Sequence, residues 1–349
     1  MRAKILFMFR FPLMRRVTKM KIALVLNTRH TETEFEVEYD PPHTIELIKH
    51  GIEATGHEYV FVEADENFTE NIKKAKPDLV FNRAEGLRGD SRESHVPAIL
   101  EMLGIPYVGS NVLTTAICLN KAWTKKVLSY HGISTPKFFV CQNLGEAEKI
   151  NEGFPYILKP NEEGSSIGII EENLVQDKTQ LQTRLKQMLQ EYQQPILVEQ
   201  FIEGREFSTG LLGRAGEDPE VLSILEIDFS KFPEVGGVFG QRAKTVLDSL
   251  DHYVCPAQIP EKLRNRLERL SVDIWYVLGV KDFARIDFRM NSEGELFFLE
   301  INPLPGMDFD TEENDLSFYP YMAMKSGYTY DELVRRLLES ACARYGLKL

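Results

Sequence analysis

The stretch that decides the fold is DFARIDFRMNSEGELFFLEINPLPG, residues 282–306. Its first arm, residues 283–290, alternates apolar and polar side chains with a period of two, which is typical of a half-buried strand. The segment NSEG, residues 291–294, predicts a turn because Gly294 can adopt a positive φ. The second arm, residues 295–301, alternates again. The stretch therefore predicts a β-hairpin with one apolar and one polar face.

The polar face of this hairpin carries side chains that can do chemistry. The alternation places on it Phe283, Arg285, Asp287, Arg289, Phe298, Glu300 and Asn302, and on the apolar face Ala284, Ile286, Phe288, Met290, Phe297, Leu299 and Ile301. Carboxylate and amide oxygens suit octahedral Mg²⁺, which makes Asp287, Glu300 and Asn302 candidate metal ligands. A guanidinium at Arg285 can hold a carboxylate or a developing negative charge beside them. The alternative is a solvated hairpin with ordinary surface charges.

A glycine- and serine-rich turn forms the second motif. Residues 156–159 (YILK) predict a strand that ends in Lys159, and PNEEGSSIG, residues 160–168, follows directly. Such a turn after a strand offers backbone N–H groups and hydroxyls to phosphate, and the lysine adds a positive charge. The segment therefore predicts a phosphate-binding loop.

The bulk composition excludes several classes of function. The chain has 349 residues, of which 43% are hydrophobic and 27% charged, as expected for two or three globular domains. Its net charge of -12 argues against a nucleic-acid partner. No apolar run is long enough for a membrane span, and the four cysteines have no metal or redox spacing, which favours a reduced, cytoplasmic compartment. A dinucleotide redox enzyme is disfavoured because the first strand–helix turn lacks Gly-x-Gly-x-x-Gly.

The hairpin and the phosphate loop together resemble the ATP-grasp superfamily, most closely its D-alanine–D-alanine ligase branch. The similarity runs from about Lys21 to the C-terminus, with the motifs in the family's order. It implies an α/β chain, α+β in its C-terminal half, with an ATP-grasp fold behind an N-terminal Rossmann-like domain. The expected segments are an N-terminal α/β substrate domain (21–120), a central ATP-grasp subdomain (121–212) and a C-terminal subdomain with the metal site (213–349). Residues 1–20, basic and apolar, are expected to be an extension before the native start, with a targeting or membrane-surface segment as the alternative.

The resemblance also implies a set of ATP contacts. These are Lys121, Lys159, Glu163, Gly164, Ser165, Ser166, Glu199, Phe201, Ile202, Glu206 and Lys244. The lysines are expected at the phosphates, Glu199 at the adenine amino group and Glu206 at the ribose hydroxyls, with Mg²⁺ or Mn²⁺ bound beside them. An ordinary surface lysine at 121 and an incidental buried Glu199 are the alternatives.

On the substrate side the resemblance is weaker. It implies that Glu34 orients an ammonium group, that Ser165 lies near the substrate, that Ser317 meets a substrate carboxylate, and that Arg285 and the Gly306 N–H hold an oxyanion. Where the family's His-Gly motif would stand, the sequence offers a different polar set, in which Arg88 or Arg92 could meet a substrate carboxylate. Three family features are missing here: the glycines before Glu34, the His-Gly near residue 85, and a tyrosine where Thr245 stands. An acidic solvent loop at Glu34 and a helix-capping Asp90 with exposed neighbours are equally natural.

These implications lead to one functional hypothesis with two alternatives. The chain is expected to be an ATP-dependent carboxylate–amine ligase that forms an amide or peptide bond through an acyl phosphate and releases ADP and phosphate. Its expected partners are small-molecule amino acid, carboxylate and amine substrates, with a homodimer left open. The alternatives are a ligase of another pathway with a different substrate pair, and a nucleotide-binding regulator without turnover.

Overall fold

The computed structural model of the protein describes residues 19–31, 33, 36–214, 216–231, 237–238, 240, 253–310 and 315–349. The predicted extension therefore lies almost entirely outside the described residues. Three main sheets and the helices packed on them organise the rest of the chain. The edges of the three sheets meet at one cavity.

The first sheet is parallel, as the alternation of strands and helices predicts. Its strands are β1 (Lys21–Leu26), β2 (Glu58–Glu63), β3 (Leu79–Asn82) and β4 (Tyr107–Val108), in the order β2-β1-β3-β4. The helices α1 (Pro42–Ala54), α2 (Phe68–Ala75) and α3 (His95–Leu103) connect them. The loops after β1 and β3 leave the carboxyl edge of this sheet, where ligands of such sheets bind.

Two helices lead to the next sheet. The sequence predicts one helix over residues 111–130, and this prediction is wrong: α4 (Val112–Leu119) and α5 (Lys121–Tyr130) are separate. The chain breaks at Asn120, which has an extended backbone (φ −85°, ψ 99°) and whose side chain accepts a hydrogen bond from the Trp123 N–H. An asparagine that caps a helix in this way starts a new helix at Lys121.

The second sheet is antiparallel and holds the phosphate loop. Its strands are β5 (Phe138–Cys141), β6 (Tyr156–Pro160), β7 (Leu174–Val175) and β8 (Ile196–Gln200), in the order β5-β8-β6-β7. The helix α6 (Lys178–Tyr192) covers it through Leu181, Leu185 and Met188. The phosphate loop leaves β6 directly.

The third sheet contains the predicted hairpin. Its strands are β9 (Arg205–Leu212), β10 (Glu220–Val221), β11 (Leu225–Ile227), β12 (Tyr253–Val254), β13 (Phe283–Met290) and β14 (Leu296–Asn302), in the order β12-β11-β9-β13-β14 with β10 on β9. The helix α7 (Glu261–Leu278) packs against its apolar face. Strand β9 pairs with β11 and β13, so it belongs to this sheet. The expected central subdomain, residues 121–212, had included this strand. The chain changes sheets at Gly204 (φ 143°), where a Cβ would overlap the Met290 carbonyl oxygen.

The alternation predicted for β14 is wrong in its first half, residues 296–299, and correct from Glu300 to Asn302. A β-bulge shifts the register after the pair Asp287–Glu300, so that Phe288 faces Phe298. Phe298 is fully buried with Phe288 in the apolar core, whereas Leu299 lines the cavity on the other face. One extra residue in a strand reverses the alternation beyond it, and no local pattern marks where this happens.

The chain ends by returning to the first sheet. The last elements are β15 (Phe309–Asp310), β16 (Asp315–Leu316), α8 (Phe318–Lys325) and α9 (Tyr330–Tyr345). Helix α9 begins with a capping box of Thr329 and Glu332. It packs on α1, where a Cβ at Gly51 would lie 2.7 Å from Val334 Cβ. A shared core thus joins the two ends of the described chain. No helix in the described part of the chain combines the length and the apolar character that crossing a bilayer requires.

Candidate active site

One cavity of about 350 Å³ collects side chains from all three sheets. Of the residues predicted from the sequence, it is lined by Lys159, Gly164, Ser165, Ser166, Glu199, Phe201, Ile202, Glu206, Arg285, Asp287, Glu300, Asn302, Gly306 and Ser317. The volume is within the range of sites that take small molecules. The cavity therefore brings the hairpin, the phosphate loop and the loop at Gly306 together.

The polar face of the hairpin is built by strand register. Asp287 pairs with Glu300 across the two strands, and Arg285 pairs with Asn302. Arg285 donates from Nε and Nη2 to the Asp287 carboxylate at 3.0–3.2 Å, and Ser208 Oγ on β9 donates to Asp287 Oδ1 at 2.6 Å. Two carboxylates and one amide are thus fixed on neighbouring backbone positions.

These groups have the donor chemistry that a hard divalent cation needs. Burial alone would raise the pKa of Glu300, but the positive charges of Lys121, Lys159 and Arg285 lower it to about 2, so this carboxyl is ionised. Among the described residues no three or more His, Cys, Asp and Glu side chains are grouped for a metal. The predicted set differs from such a group because an amide oxygen, that of Asn302, would be its third member.

The phosphate loop has a strained backbone at its two serines. Ser165 and Ser166 have φ of 47° and 64°, a left-handed conformation that costs a non-glycine residue on the order of 1–3 kcal/mol and that clusters at ligand sites. Lys121, the first residue of α5, donates to the Glu163 carbonyl and lies 3.7 Å from Glu300 Oε2. It therefore connects the loop to the hairpin from just outside the cavity lining.

A buried ion triad lies behind this loop. Glu199 on β8 is 2.5 Å from Lys125 Nζ and 2.8 Å from Lys159 Nζ, and all three side chains are at most 11% exposed. Burial lowers the pKa of Lys125; against the opposing effect of burial, the two lysines lower the pKa of Glu199. Sequence reasoning missed Lys125. Its spacing of four residues from Lys121 puts it on the same helix face, which was the available signal.

A second charged pair occupies the apolar end of the cavity. Glu206 is paired with Arg289 on β13, which also donates to the Ile202 and Gly237 carbonyls at 3.0 and 2.6 Å. The Arg289 guanidinium lies 5.1 Å from the centre of the Phe201 ring, a cation–π distance. Arg289 was expected only as a polar face residue. Its two-residue spacing from Asp287 places it beside the site.

The loop at Gly306 is held by groups from the first sheet. Arg83, 1% exposed, donates to the carbonyl oxygens of Leu304 and Pro305 at 2.9 and 2.8 Å. Ser317 Oγ donates to Asp308 Oδ2 at 3.0 Å and lies where a Cβ on Gly306 would be. Sequence reasoning missed Arg83, because nothing local links residue 83 to residue 305.

The structure does not bring every predicted residue to the cavity. Arg88 is 77% exposed and pairs with the equally exposed Glu66 at 2.7 Å, so its expected role at a substrate carboxylate does not fit its position. The Glu163 side chain is bonded to Arg92 and Gln194 beside the cavity. Glu34 and Lys244 lie outside the described residues.

The first sheet and its loops contribute seven further lining residues. They are Arg29, Val37, Glu38, Asp40, Arg83, Glu85 and Glu93. This side of the cavity is therefore dominated by carboxyl groups, in the same region where the sequence departs from the family pattern.

Comparisons with known proteins agree with this geometry. The family model described as D-ala D-ala ligase C-terminus matches residues 122–339. The D-alanine–D-alanine ligase of Pelotomaculum thermopropionicum is 30% identical, over 94% of this chain and 99% of that protein. The uncharacterized protein y4sG of Sinorhizobium fredii is 31% identical, over 93% of this chain and 98% of that protein.

A solved structure has the same fold. The D-alanine–D-alanine ligase of Bacillus anthracis, solved in complex with ATP, superposes with a TM-score of 0.72 at 24% identity, covering 94% of this chain and 99% of that one. The predicted ATP-grasp fold is therefore confirmed. The chain belongs to the D-alanine–D-alanine ligase family of ATP-grasp proteins and is an ATP-dependent carbon–nitrogen ligase.

Proposed function

We propose that the protein joins the carboxylate of one small molecule to the amine of another at this cavity, at the expense of ATP. The single observation that carries the proposal is the convergence on one cavity of the loop Gly164–Ser166, the ionised Glu300 beside Asp287, and the Gly306 loop. Each of these would serve a different stage of the reaction.

In the first stage a substrate carboxylate oxygen attacks the γ-phosphorus of ATP, and the bond to the bridging oxygen breaks to release ADP. Lys159 and Lys121 would neutralise the phosphate charge, and the N–H groups of the loop would hold the transferring group. Arg285 is held in position by Asp287, so its guanidinium is ready to bind the charged reactants.

In the second stage the amine nitrogen attacks the acyl-phosphate carbon. The bond from that carbon to the phosphate oxygen then breaks, phosphate leaves, and the nitrogen loses a proton. Arg285 and the Gly306 N–H would stabilise the tetrahedral oxyanion, and removing one such donor typically costs about 2.7–4 kcal/mol of barrier. Ser317, hydrogen-bonded to Asp308, would orient one substrate.

Mg²⁺ fits the donors of the hairpin, since Asp287, Glu300 and Asn302 line one face with one carboxyl ionised far below neutral pH. When bound, such an ion supplies Lewis-acid neutralisation of phosphate charge. Mn²⁺ is the alternative that uses the same donors. The cytoplasm is the compartment we propose, in keeping with four free cysteines.

D-alanine is the first substrate to test for both positions, because the relatives are D-alanine–D-alanine ligases. A different amino acid or carboxylate is the second candidate, and the glutamate at position 85, where the family has a histidine, favours it. Phosphate release from ATP and Mg²⁺ with a panel of D- and L-amino acids, singly and in pairs, distinguishes the two. Phosphate release with no member of the panel, together with tight ATP binding, would contradict ligase turnover.

A further inference from the structure

The cavity has one side on which carboxyl groups outnumber the cations that face them. The carboxyl groups on that side are Glu38, Asp40, Glu85, Glu93 and Asp308. The guanidiniums of Arg29 and Arg83 also line it, and Arg92 bonds to Glu38 from behind at 2.7 Å. Five carboxyl groups thus face three arginines, and we call these five residues the acidic wall.

The acidic wall is buried and incompletely paired. Glu93 is only 6% exposed, and among the described residues its Oε2 has no hydrogen-bond partner. Asp40 is 3% exposed, and its Oδ1 bonds to Arg83 while its Oδ2 has no partner in the described part of the chain. A buried carboxyl oxygen without a partner is costly, and it is commonly explained by a ligand that completes the site.

The carboxyl groups of the acidic wall raise one another's pKa values by burial and mutual repulsion. Burial raises the pKa of Glu93 to about 8, with Glu38 adding to the effect. Burial and the charges of Glu93 and Glu38 raise the pKa of Glu85. A cation between these groups would relieve both desolvation and repulsion.

The position of the wall points to the substrate. Glu38 lies against Gly164 of the phosphate loop, and Arg92 donates to the Glu162 carbonyl at 2.7 Å. On the opposite side, Arg83 holds the carbonyls just before Gly306. The wall therefore lies between the loop that would hold the transferring phosphate and the N–H that would hold the oxyanion.

We propose that the acidic wall is a subsite for a cationic group carried by the substrate, in addition to its reacting carboxylate and amine. The substrate class is then an amino acid with a basic side chain, or a similar amine-bearing carboxylic acid. The buried oxygens without a hydrogen-bond partner in the described part of the chain belong to two different side chains, Glu93 and Asp40, which favours two cationic groups over a single α-ammonium. This inference rests on the proposed function for the identity of the reacting groups, but not for binding.

The test compares ligands that differ only in one charge. Ornithine is titrated against its neutral isostere norleucine, and lysine against 2-aminoheptanoate, in both enantiomers, into the full chain loaded with a non-hydrolysable ATP analogue and Mg²⁺. Calorimetry is expected to give at least tenfold tighter binding of the better basic ligand than of its isostere. Glu93→Gln and Glu85→Gln are each expected to reduce this preference at least fivefold. The control, Glu53→Gln at an exposed position on α1, is expected to leave it unchanged.

A second readout separates direct contact from a structural role. The groups that face Glu93 are Glu38, Glu85, Arg83, Arg92 and Lys121. A bound cation favours the ionised carboxylate of Glu93, so binding of the basic ligand at pH 7 is expected to release protons. The release is measured as a binding enthalpy that depends on the ionisation enthalpy of the buffer. Glu93→Gln would lower that release, and a variant that merely misfolds would lose ATP-analogue binding as well.

Three results would overturn the proposal: equal binding of each basic ligand and its isostere, a preference that survives both Glu→Gln variants, or an equal Glu93-dependent heat from Ca²⁺ or Mg²⁺ alone. Failure of the ligase function is distinguishable. Glu93-dependent binding of ornithine or lysine without any phosphate release retains the subsite and rejects turnover. Turnover of alanine without Glu93-dependent cation binding retains the ligase function and rejects the subsite.

Discussion

The two sides of the cavity handle charge in opposite ways. On the nucleotide side the buried carboxyl groups of Asp287, Glu206 and Glu199 each form an ion pair, although Glu199 Oε1 makes no hydrogen bond within the described residues. On the substrate side Glu93 and Asp40 keep carboxyl oxygens without hydrogen-bond partners in the described part of the chain. A site that binds a constant ligand can be charge-balanced in advance, whereas an unbalanced wall requires its ligand to bring the missing charge. This difference is what we expect if the chain shares the nucleotide chemistry of its family and binds the cationic substrate that we propose.

The sharpest test of the balanced side is Asp287→Asn. The substitution keeps the shape but removes the charge that positions Arg285 and that would hold Mg²⁺, interactions that together supply several kcal/mol to phosphoryl transfer. Because each 1.36 kcal/mol is a factor of ten, we expect phosphate release to fall roughly 10³-fold with little change in the melting temperature. Asp273→Asn, at an exposed position on α7, is the control. A fully active Asp287→Asn protein would remove the hairpin from the mechanism.

The second prediction concerns stability on the same side. Lys125→Met leaves Glu199, 1% exposed, with Lys159 as its remaining counter-ion. Because the substitution removes one of the two cationic partners of Glu199 and also the donor to the Leu299 carbonyl oxygen, which accepts from Lys125 Nζ at 2.6 Å, we expect the free energy of unfolding in urea to fall by about 2 kcal/mol. Lys126→Met, one residue on and exposed, should change it by less than about 0.5 kcal/mol. Equal effects of the two substitutions would mean that the triad is not a stability element.

The third prediction uses the raised pKa of Glu93 on the unbalanced side. An acid whose folded pKa is about 8, against an ordinary 4.5, keeps its proton in the folded chain after the unfolded chain has lost it. Between these two pH values its contribution to stability falls as pH rises, by at most about 1.4 kcal/mol per pH unit. Urea unfolding of Glu93→Gln at pH 5, 6.5 and 8 should therefore lose stability less steeply than the parent. Parallel curves for the two proteins would contradict the buried, unbalanced carboxyl.

The smallest expected effect lies at the boundary between the two sides. A Cβ at Gly164 would overlap Glu38 Oε1, and Gly164 does not have a positive φ, so Gly164→Ala acts by displacing one flexible side chain. We expect the KM for the amino acid to rise about two- to fivefold, corresponding to about 0.5–1 kcal/mol, with the KM for ATP less affected. Gly145→Ala, away from the cavity, should change neither value. A larger rise in the KM for ATP than for the amino acid would place Glu38 on the nucleotide side.

Much of the site could be predicted because its parts are local. The hairpin follows from the alternation around Asp287, and the phosphate loop from a strand that ends at Lys159; both lie at the cavity. The family resemblance supplied most of the nucleotide-side lining through contiguous motifs. The break at Asn120 and the bulge just before Glu300 could not be predicted from local patterns. A capping side chain and one extra residue interrupt the periodicity on which such a prediction depends.

The sequence by itself determined the elements, the fold family and the chemistry of the nucleotide side, because short-range periodicity and contiguous motifs carry that information. Only the tertiary structure decided which distant charges meet. Arg83 reaches the carbonyls of residues 304 and 305, and Lys125 reaches Glu199. It also decided that Glu85 and Glu93 share one buried wall with Glu38 and that Arg88 faces solvent. Whether a charge is balanced depends on its neighbours in space, and burial strengthens each of those interactions in a way that no sequence spacing encodes.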